Sequence, residues 1–259
     1  MEFLLDLPFY LGMLITVFFI STMCLIVVKL TQQLIGRKLT KQHEKIGRLL
    51  FRVTAGLIAL LLSLSYANEK VRLNKIVDSM EVEASTIVTV SMRLNHFDSD
   101  ESKAALMHIM NYVELTINDD WKVIEKDPFF SKITQSLRKA YEQILLMPTE
   151  NEAEANTKEM ILRDLNEIIK LTQIRIYSQT ASTPYLIYIL LIGLTFMWIF
   201  FTVYKVDFVS VLFLTLYNTL IAVLIYFVFS LSNPLIGPLK VKPESFILVK
   251  TKGFDMYKE

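Results

Sequence analysis

The feature that most constrains this chain is an apolar run near its start, where residues 7–28 form 22 consecutive positions without a charge. About 20 apolar residues in a helix are enough to cross the hydrocarbon core of a bilayer. A cleaved signal peptide is the alternative, but it requires a basic stretch before the run and a small-residue cleavage site after it. Glu2 and Asp6 make the start acidic, and residues 21–24 are a poor cleavage motif. We therefore predict an uncleaved transmembrane helix.

Three further segments are apolar enough to be membrane spans, at about residues 49–68, 185–204 and 208–231. The second is the least hydrophobic, because only residues 53–68 lack charge and Arg52 must reach the interface or face protein or water. The third and fourth are joined by residues 205–207 alone, so they must pack as an antiparallel hairpin. Four spans place both termini, and the segment between the second and third spans, on one side of the membrane.

Charge is distributed unevenly along the chain. Hydrophobic residues make up 53% of the sequence and the mean hydropathy is +0.42, which is too apolar for an ordinary soluble domain. Residues 67–180 carry 14 Lys/Arg and 19 Asp/Glu, a net charge of −5, whereas the rest of the chain has a net charge of +6. We therefore predict an all-α integral membrane protein with four transmembrane helices and a helical soluble insert. Its parts are a first transmembrane hairpin (residues 1–68), the insert (residues 69–180), a second transmembrane hairpin (residues 181–232) and a C-terminal tail (residues 233–259).

The insert is predicted to be helical throughout, because it contains no glycine and only two prolines, Pro128 and Pro148. Capping patterns and apolar periodicity define its helices. We place them at residues 68–94, 98–126 and 127–146, with a fourth that opens at residues 149–152 and leads into the third span. The first of these helices continues the second span.

Several classes of function are disfavoured by what the sequence lacks. Cys24 is the single cysteine, so there is no disulfide framework and no CxxC metal site. Seven glycines include no phosphate-binding loop, and the three histidines lie far apart. No dense block of like charge suggests a nucleic-acid partner. We therefore expect no enzymatic activity, no cofactor and no metal site.

A few polar residues stand out by their position. Asn218 lies inside the fourth span, where an amide most often forms an interhelical hydrogen bond. Trp121 is expected to pack in the core of the insert. The insert also carries two acidic pairs without a His or Cys nearby, which we interpret as parts of solvated faces: Glu81 with Glu83, and Asp119 with Asp120.

The segment after the fourth span is the most distinctive in the chain. Asn233-Pro234 ends a helix, and Gly237-Pro238 makes a second turn. Taken alone, this pattern is a helix stop followed by a solvated tail. Residues 233–246 nonetheless follow a longer order, Asn-Pro, Gly-Pro, Val-x-Pro-Glu and a final Phe, and that string resembles the C-terminal signature of the bestrophin-like membrane proteins.

Other matches to that family fall in the expected order along about residues 45–250. Glu83 opens a Glu-Ala-Ser string after the second span, Tyr112 precedes the Asp-Asp-Trp string that ends at Trp121, and Arg175 precedes the third span. The resemblance implies a pentameric anion channel whose second span lines the pore and whose helical insert is cytosolic. Animal bestrophins carry a Ca²⁺-binding acidic run after the equivalent of Asn233, but residues 237–242 are basic here, so calcium gating is not expected.

The second span offers two interpretations. Helical spacing places four residues on one face, where five copies would form a hydrophobic constriction with hydroxyl groups at each end: Thr54, Ile58, Leu61 and Ser65. Arg52 would attract anions at one mouth of such a pore. The alternative is close helix packing through the small residues of the span, namely Thr54, Ala55, Gly56, Ala59, Ser63 and Ser65.

Two functional hypotheses from different classes follow. The first is a homo-oligomeric channel in the cell membrane that passes chloride or similar small anions. The second is a non-conducting membrane scaffold or sensor whose acidic insert binds a partner protein. Lys and Arg near the span ends number eight on the loop side and ten on the insert side, so charge leaves the orientation open. A cytoplasmic insert is implied by the resemblance alone.

Overall fold

The computed structural model describes residues 2–35, 39–118, 132–180, 184–204 and 207–253, and these ranges are all-α with no strand, as predicted. Short turns of 3₁₀ and π helix occur at Glu2–Leu5 and Val249–Gly253. The α-helices within the described ranges are α1 Phe9–Ile35, α2 Lys41–Leu94, α3 Asp100–Asn118, α4 Lys132–Leu146, α5 Glu152–Thr180, α6 Pro184–Phe201, α7 Phe208–Leu231 and α8 Glu244–Leu248.

The chain forms two compact units. The membrane unit comprises Met1–Val71 and Ser182–Lys240, and the insert unit comprises Arg72–Ala181 and Val241–Glu259. Within the described residues, α1, α2 and α7 are long and apolar enough to cross a membrane, and α6 has a shorter apolar segment, Leu186–Phe201. The prediction that one helix continues out of the second span is confirmed, because α2 is a single helix of 54 residues.

The membrane unit buries one apolar seam shared by its helices. The seam is built from Ile20 and Cys24 of α1, Ile58 and Leu62 of α2, Leu194 and Trp198 of α6, and Leu214 and Ile221 of α7. The outward faces of the same helices are also apolar, with residues such as Phe18 and Phe208 largely exposed. This two-sided hydrophobicity is what lipid as a solvent requires of a spanning helix.

The insert unit is held by amphipathic helices with one apolar stripe each. Its core is a set of residues that are essentially inaccessible to solvent: Ile76 and Ile87 of α2, Ala105 and Ile109 of α3, Ile133 and Ala140 of α4, and Ile161 and Leu165 of α5. Their spacing of four, seven or eleven residues within each helix is the helical period that the sequence shows. The predicted helix ends at Leu94 and Leu146 are both observed.

The helix starts differ from the predicted ones by one or two residues. Ser99, not Asp98, caps α3, because its Oγ accepts the hydrogen bond from the amide of Ser102 at 3.1 Å. Asn151 caps α5 by accepting from the amide of Glu154 at 2.9 Å, and the Glu154 carboxylate returns to the amide of Glu150 at 2.7 Å. The capping box thus lies at residues 151–154 and not at 149–152. The predicted helix junction at residues 126–128, and the link from α5 into the third span at residues 181–183, lie outside the described residues.

Candidate functional site

The predicted pore stripe of the second span does not face outward as a unit. Ile58 is 2% exposed and Ser65 is 3% exposed, and Ile58 belongs to the apolar seam of the membrane unit. Thr54 and Leu61 are half-buried. A side chain that lines an axial pore has to be exposed on the single subunit, so the burial of Ile58 and Ser65 favours a packing role for both.

The opposite face of α2 is open along the length of the span. It is formed by Arg52, Gly56, Ala59, Ser63 and Ala67, all exposed and spaced by three, four or seven residues. A methyl group added at Gly56 would meet no atom within 4 Å. This face, which we call the open α2 face, has the spacing of the predicted stripe but is shifted by two residues, or about half a helical turn.

Asn218 forms the interhelical bridge that its position predicts. Its amide nitrogen donates to Sγ of Cys24 at 2.9 Å, and its carbonyl oxygen accepts from Nε1 of Trp198 at 2.9 Å. One buried amide therefore joins α1, α6 and α7. The sequence gives no signal for Cys24 and Trp198 as its partners, because residues 24, 198 and 218 meet only through tertiary packing.

The insert unit contains a buried polar cluster that joins α2, α3 and α5. The hydroxyl of Tyr112 donates to the Glu83 carboxylate, and Oγ1 of Thr172 lies 3.1 Å from Oε1 of the same carboxylate. Nη1 of Arg175 lies 3.1 Å from Oε2 of Glu83, and Nη2 donates to the Tyr112 hydroxyl at 3.2 Å. Both members of the ion pair have side chains that are 0% exposed.

The C-terminal tail completes this cluster through Phe246 of α8. The guanidinium carbon of Arg175 lies 5.2 Å from the centre of the Phe246 ring, which is within the range of a cation–π contact. The rings of Tyr112 and Phe246 meet edge to face at 6.4 Å. We call Glu83, Tyr112, Thr172, Arg175 and Phe246 the buried cluster. Four of the five belong to the strings that carry the family resemblance, although they are separated by up to 163 positions in the sequence.

Burial dominates the electrostatics of the ion pair. Desolvation raises the pKa of Glu83 to about 7, and the attraction of Arg175 together with the hydrogen bond from Thr172 opposes that rise. Desolvation also lowers the pKa of Arg175, and the Glu83 charge opposes the change. Each partner therefore depends on the other to remain charged in the interior.

The interpretation of Glu83 as part of a solvated face is wrong, because Glu83 is buried. Its neighbour Glu81 is exposed. The sequence does contain a signal for this burial. Glu83 falls three residues after Met80 and four before Ile87, so it lies on the apolar stripe of its helix, and Glu81 does not. Asp119, Asp120 and Trp121 lie outside the described residues.

The Asn-Pro/Gly-Pro motif forms a compact turn at the end of α7. The side-chain amide of Asn233 donates to the carbonyl of Phe229 at 2.9 Å, and the carbonyl of Asn233 accepts from the amide of Gly237 at 3.0 Å. Pro234 is buried and Pro238 half-buried. A Cβ at position 237 would lie 3.0 Å from the carbonyl oxygen of Asn233, so a side chain there would crowd the turn. In the described ranges, no group of three or more His, Cys, Asp or Glu side chains is arranged to hold a metal ion.

Comparison with known proteins agrees with this architecture. Two solved structures of a bestrophin homologue from Klebsiella pneumoniae, each carrying one point mutation, superimpose on the chain with TM-scores of 0.61 and 0.63. They are 13% and 12% identical to it, and each match covers 95% of this chain and 99% of the other. At this identity the likeness shows a common fold. No curated protein is recognisably similar to the chain in sequence.

The family itself is established by sequence over most of the chain. The model of the Bestrophin-like domain matches residues 18–246, a range that contains α2 to α7, the buried cluster and the turn after α7. Because that match extends over far more than half of the 259 residues, the chain belongs to the bestrophin-like family.

Proposed function

We propose that this chain is the subunit of a homo-oligomeric membrane channel that conducts small inorganic anions such as chloride. Membership of the bestrophin-like family is the observation that carries the proposal. The structural neighbours from Klebsiella pneumoniae are described as bestrophin homologues. For this protein, the family resemblance implies five subunits around an axis.

The open α2 face is the surface we assign to the pore. Its central residues, Gly56, Ala59 and Ser63, are small, so a ring of helices that turn this face toward the axis leaves room for a narrow path along it. Arg52 is exposed at the end of the charge-free stretch and would raise the local concentration of anions at the mouth. Val53 and Leu57, also exposed, flank this face and are available for contact with the neighbouring subunit.

The proposed layout has four spans, with the insert and both termini on the cytoplasmic side. The helix α6 is short, but contacts within the insert unit favour its crossing. Phe246 packs on Arg175, so the chain returns to the insert between residues 175 and 246. The helix α7 is apolar over 24 residues. If α7 crosses the membrane, α6 must cross it too.

The basic sequence at residues 237–242 argues against gating by the calcium site of animal bestrophins.

The test is anion flux from liposomes that contain the purified protein. In Arg52→Glu, we expect chloride flux to fall by roughly sevenfold, because a change of two unit charges about 7 Å from an ion in water changes its energy by about two RT. In Ser63→Cys, we expect a thiol reagent to block the flux, because Ser63 is exposed on the open α2 face.

The matched control is Ile189→Cys, a residue that is equally placed within a span but exposed on α6. The natural Cys24 is buried and does not compete for the reagent. Block at position 189 but not at position 63 would contradict the assignment of the pore to α2. Absence of flux from a folded oligomer, in wild type and variants alike, would favour the scaffold or sensor hypothesis.

A further inference from the structure

The C-terminal tail docks on the insert unit through one short helix. The helix α8 has five residues, of which Phe246 is buried. In the π-helical turn that follows, Val249 is 5% exposed, and Lys250 forms an ion pair with Glu114 of α3 at 3.0 Å on the surface. A helix of this length is not stable away from the surface on which it packs. Among the described helices of the insert unit, α8 is therefore the one that detaches at the lowest cost in free energy.

Phe246 covers the buried cluster on one side. Its ring lies 5.2 Å from the guanidinium carbon of Arg175 and meets the Tyr112 ring at 6.4 Å. Both of these side chains contact the Glu83 carboxylate, which is itself inaccessible to solvent. Detachment of α8 would therefore admit water to the ion pair from the side of Arg175 and Tyr112.

A groove of about 270 Å³ between α4 and α5 approaches the same cluster from another side. Its lining includes Leu137, Ile169 and Thr172. Oγ1 of Thr172 lies 3.1 Å from Oε1 of Glu83. On this side the Thr172 side chain lies between the carboxylate and a depression that is open to water, so a proton can reach Glu83 without unfolding of the unit.

The ionisable groups that contact Glu83 come from two helices among the described residues. They are Arg175 of α5, at 3.1 Å, and the hydroxyl of Tyr112 of α3. On its own helix, Glu81 is exposed, and α8 presents the uncharged ring of Phe246. Beyond Thr172, three ionisable side chains line the groove: Arg138, Tyr141 and Tyr177. Proton uptake by Glu83 therefore leaves the guanidinium of Arg175 as a buried positive charge.

The charge on Glu83 determines how strongly Arg175 favours contact with Phe246. When Glu83 is ionised, the carboxylate neutralises the guanidinium, and burial deprives both charges of their hydration. When Glu83 is protonated, the buried cation has lost its counter-ion, and the face of the Phe246 ring lowers the cost of that charge. Docking of α8 is therefore favoured by uptake of a proton and opposed by its loss.

The pKa of Glu83 gives the same sign. Burial raises this pKa from 4.5 to about 7 while the tail is docked. Water admitted by detachment of α8 would reduce the desolvation and return the pKa toward its ordinary value. The docked form therefore binds the proton more tightly than the detached form, and by linkage the proton stabilises the docked form.

We propose that the tail is a proton-linked latch of the insert unit: a proton on Glu83 keeps α8 docked on Arg175 and Tyr112, and loss of that proton favours its release. Released, the tail would uncover an aromatic and cationic surface formed by Tyr112 and Arg175. The proposal is independent of whether the protein conducts ions.

Hydrogen–deuterium exchange of the full-length protein in detergent, followed by mass spectrometry, tests the proposal. The quantity measured is the protection factor of residues 244–250, the ratio of intrinsic to observed exchange rate, which removes the direct effect of pH on exchange. The amides of Ile247 and Val249 report docking because both are hydrogen-bonded in α8, to the carbonyls of Pro243 and Phe246. From pH 5.5 to pH 8 we expect the protection factor to fall by about five- to 25-fold, the upper figure applying if detachment returns the pKa fully from about 7 to 4.5.

Three variants separate the latch from a general effect of pH. Glu83→Gln does not titrate, so the protection of its tail should not depend on pH. Glu81→Gln is the matched control and should behave as wild type, because Glu81 is exposed on the same helix. Thr172→Val removes a hydrogen bond that lowers the pKa of Glu83, so the midpoint of the pH dependence should move to higher pH.

Wild type and Thr172→Val keep the test decisive if Glu83→Gln does not fold. Tail protection in wild type that is equal at pH 5.5 and pH 8 would overturn the proposal. So would a fall in protection that is shared equally by peptides from α3 and α5, because the whole insert unit would then open and not the tail alone. An unchanged midpoint in Thr172→Val would show that Glu83 is not the titrating group.

Discussion

A single carboxylate, Glu83, faces one guanidinium and two hydroxyl groups in the interior of the insert unit. Its ordinary pKa of 4.5 is raised to about 7 by burial. Between these two values the folded protein holds a proton that the unfolded chain has lost. The contribution of Glu83 to stability is therefore fully present below pH 4.5, falls as the pH rises, and is lost above about pH 7.

We predict that Glu83→Gln removes this dependence on pH. Glutamine has the shape of the protonated acid and does not ionise, so the difference in unfolding free energy between variant and wild type should change by up to about 3 kcal/mol across the window. Thermal unfolding in detergent, followed from pH 4.5 to pH 8, measures it. Glu81→Gln is the matched control, because Glu81 is exposed on the same helix. Parallel curves for wild type and Glu83→Gln would contradict the prediction.

The burial of Glu83 also shows how much of the core the spacing of apolar residues in the sequence can predict. In the insert, water distinguishes the two sides of a helix, so the buried apolar residues of α2, among them Ile76, Met80 and Ile87, form one stripe at helical spacing. That stripe includes position 83, but composition alone assigns a glutamate to the surface. The partner that makes burial tolerable, Arg175, is 92 residues away, and only the folded chain brings the two together.

At the scale of the element, the second span shows why a membrane helix is harder to orient from sequence than a soluble one. Lipid-facing and protein-facing sides are both apolar, so periodicity identifies a helix but not the side that packs inward. The stripe through Thr54 and Ile58 and the open α2 face have the same spacing. Ile58 packs inward against α6 at Gly193, where an added Cβ would lie 3.4 Å from Cγ1 of Ile58, and the sequence of α2 contains no trace of that neighbour.

Two glycines of α2 provide a matched test of its packing. A methyl group at Gly47 would meet Val203 at 2.4 Å, whereas one at Gly56 would meet nothing within 4 Å. We predict that Gly47→Ala destabilises the protein by about 1–3 kcal/mol through overpacking. Gly56→Ala should be neutral or stabilising by up to about 1 kcal/mol through helix propensity. Thermal unfolding of the two variants side by side measures the difference, and equal effects would contradict the packing described for α2.

At the scale of the whole molecule, charge and hydropathy divide the sequence before any contact is known. The acidic insert and the basic remainder, at −5 and +6, follow the division between water and lipid. The charge pattern does not predict that the tail returns to the insert unit. Residues 241–253 belong to that unit, where Phe246 packs against Arg175 and Tyr112, a contact that depends on the shape of the buried cluster.

The return of the tail leads to a prediction about topology. If α6 and α7 both cross the bilayer, a cysteine at Lys242 and one at Lys103 of the insert should lie on the same side, and one at Lys41 on the other. We expect a membrane-impermeant maleimide to label the first two variants from one face of sealed vesicles and the third only from the opposite face. All three positions are exposed, and the natural Cys24 is buried. Labelling of positions 242 and 41 from the same face would mean an odd number of crossings after the insert. That result would leave α6, the shortest apolar helix, as a segment that enters the bilayer without spanning it.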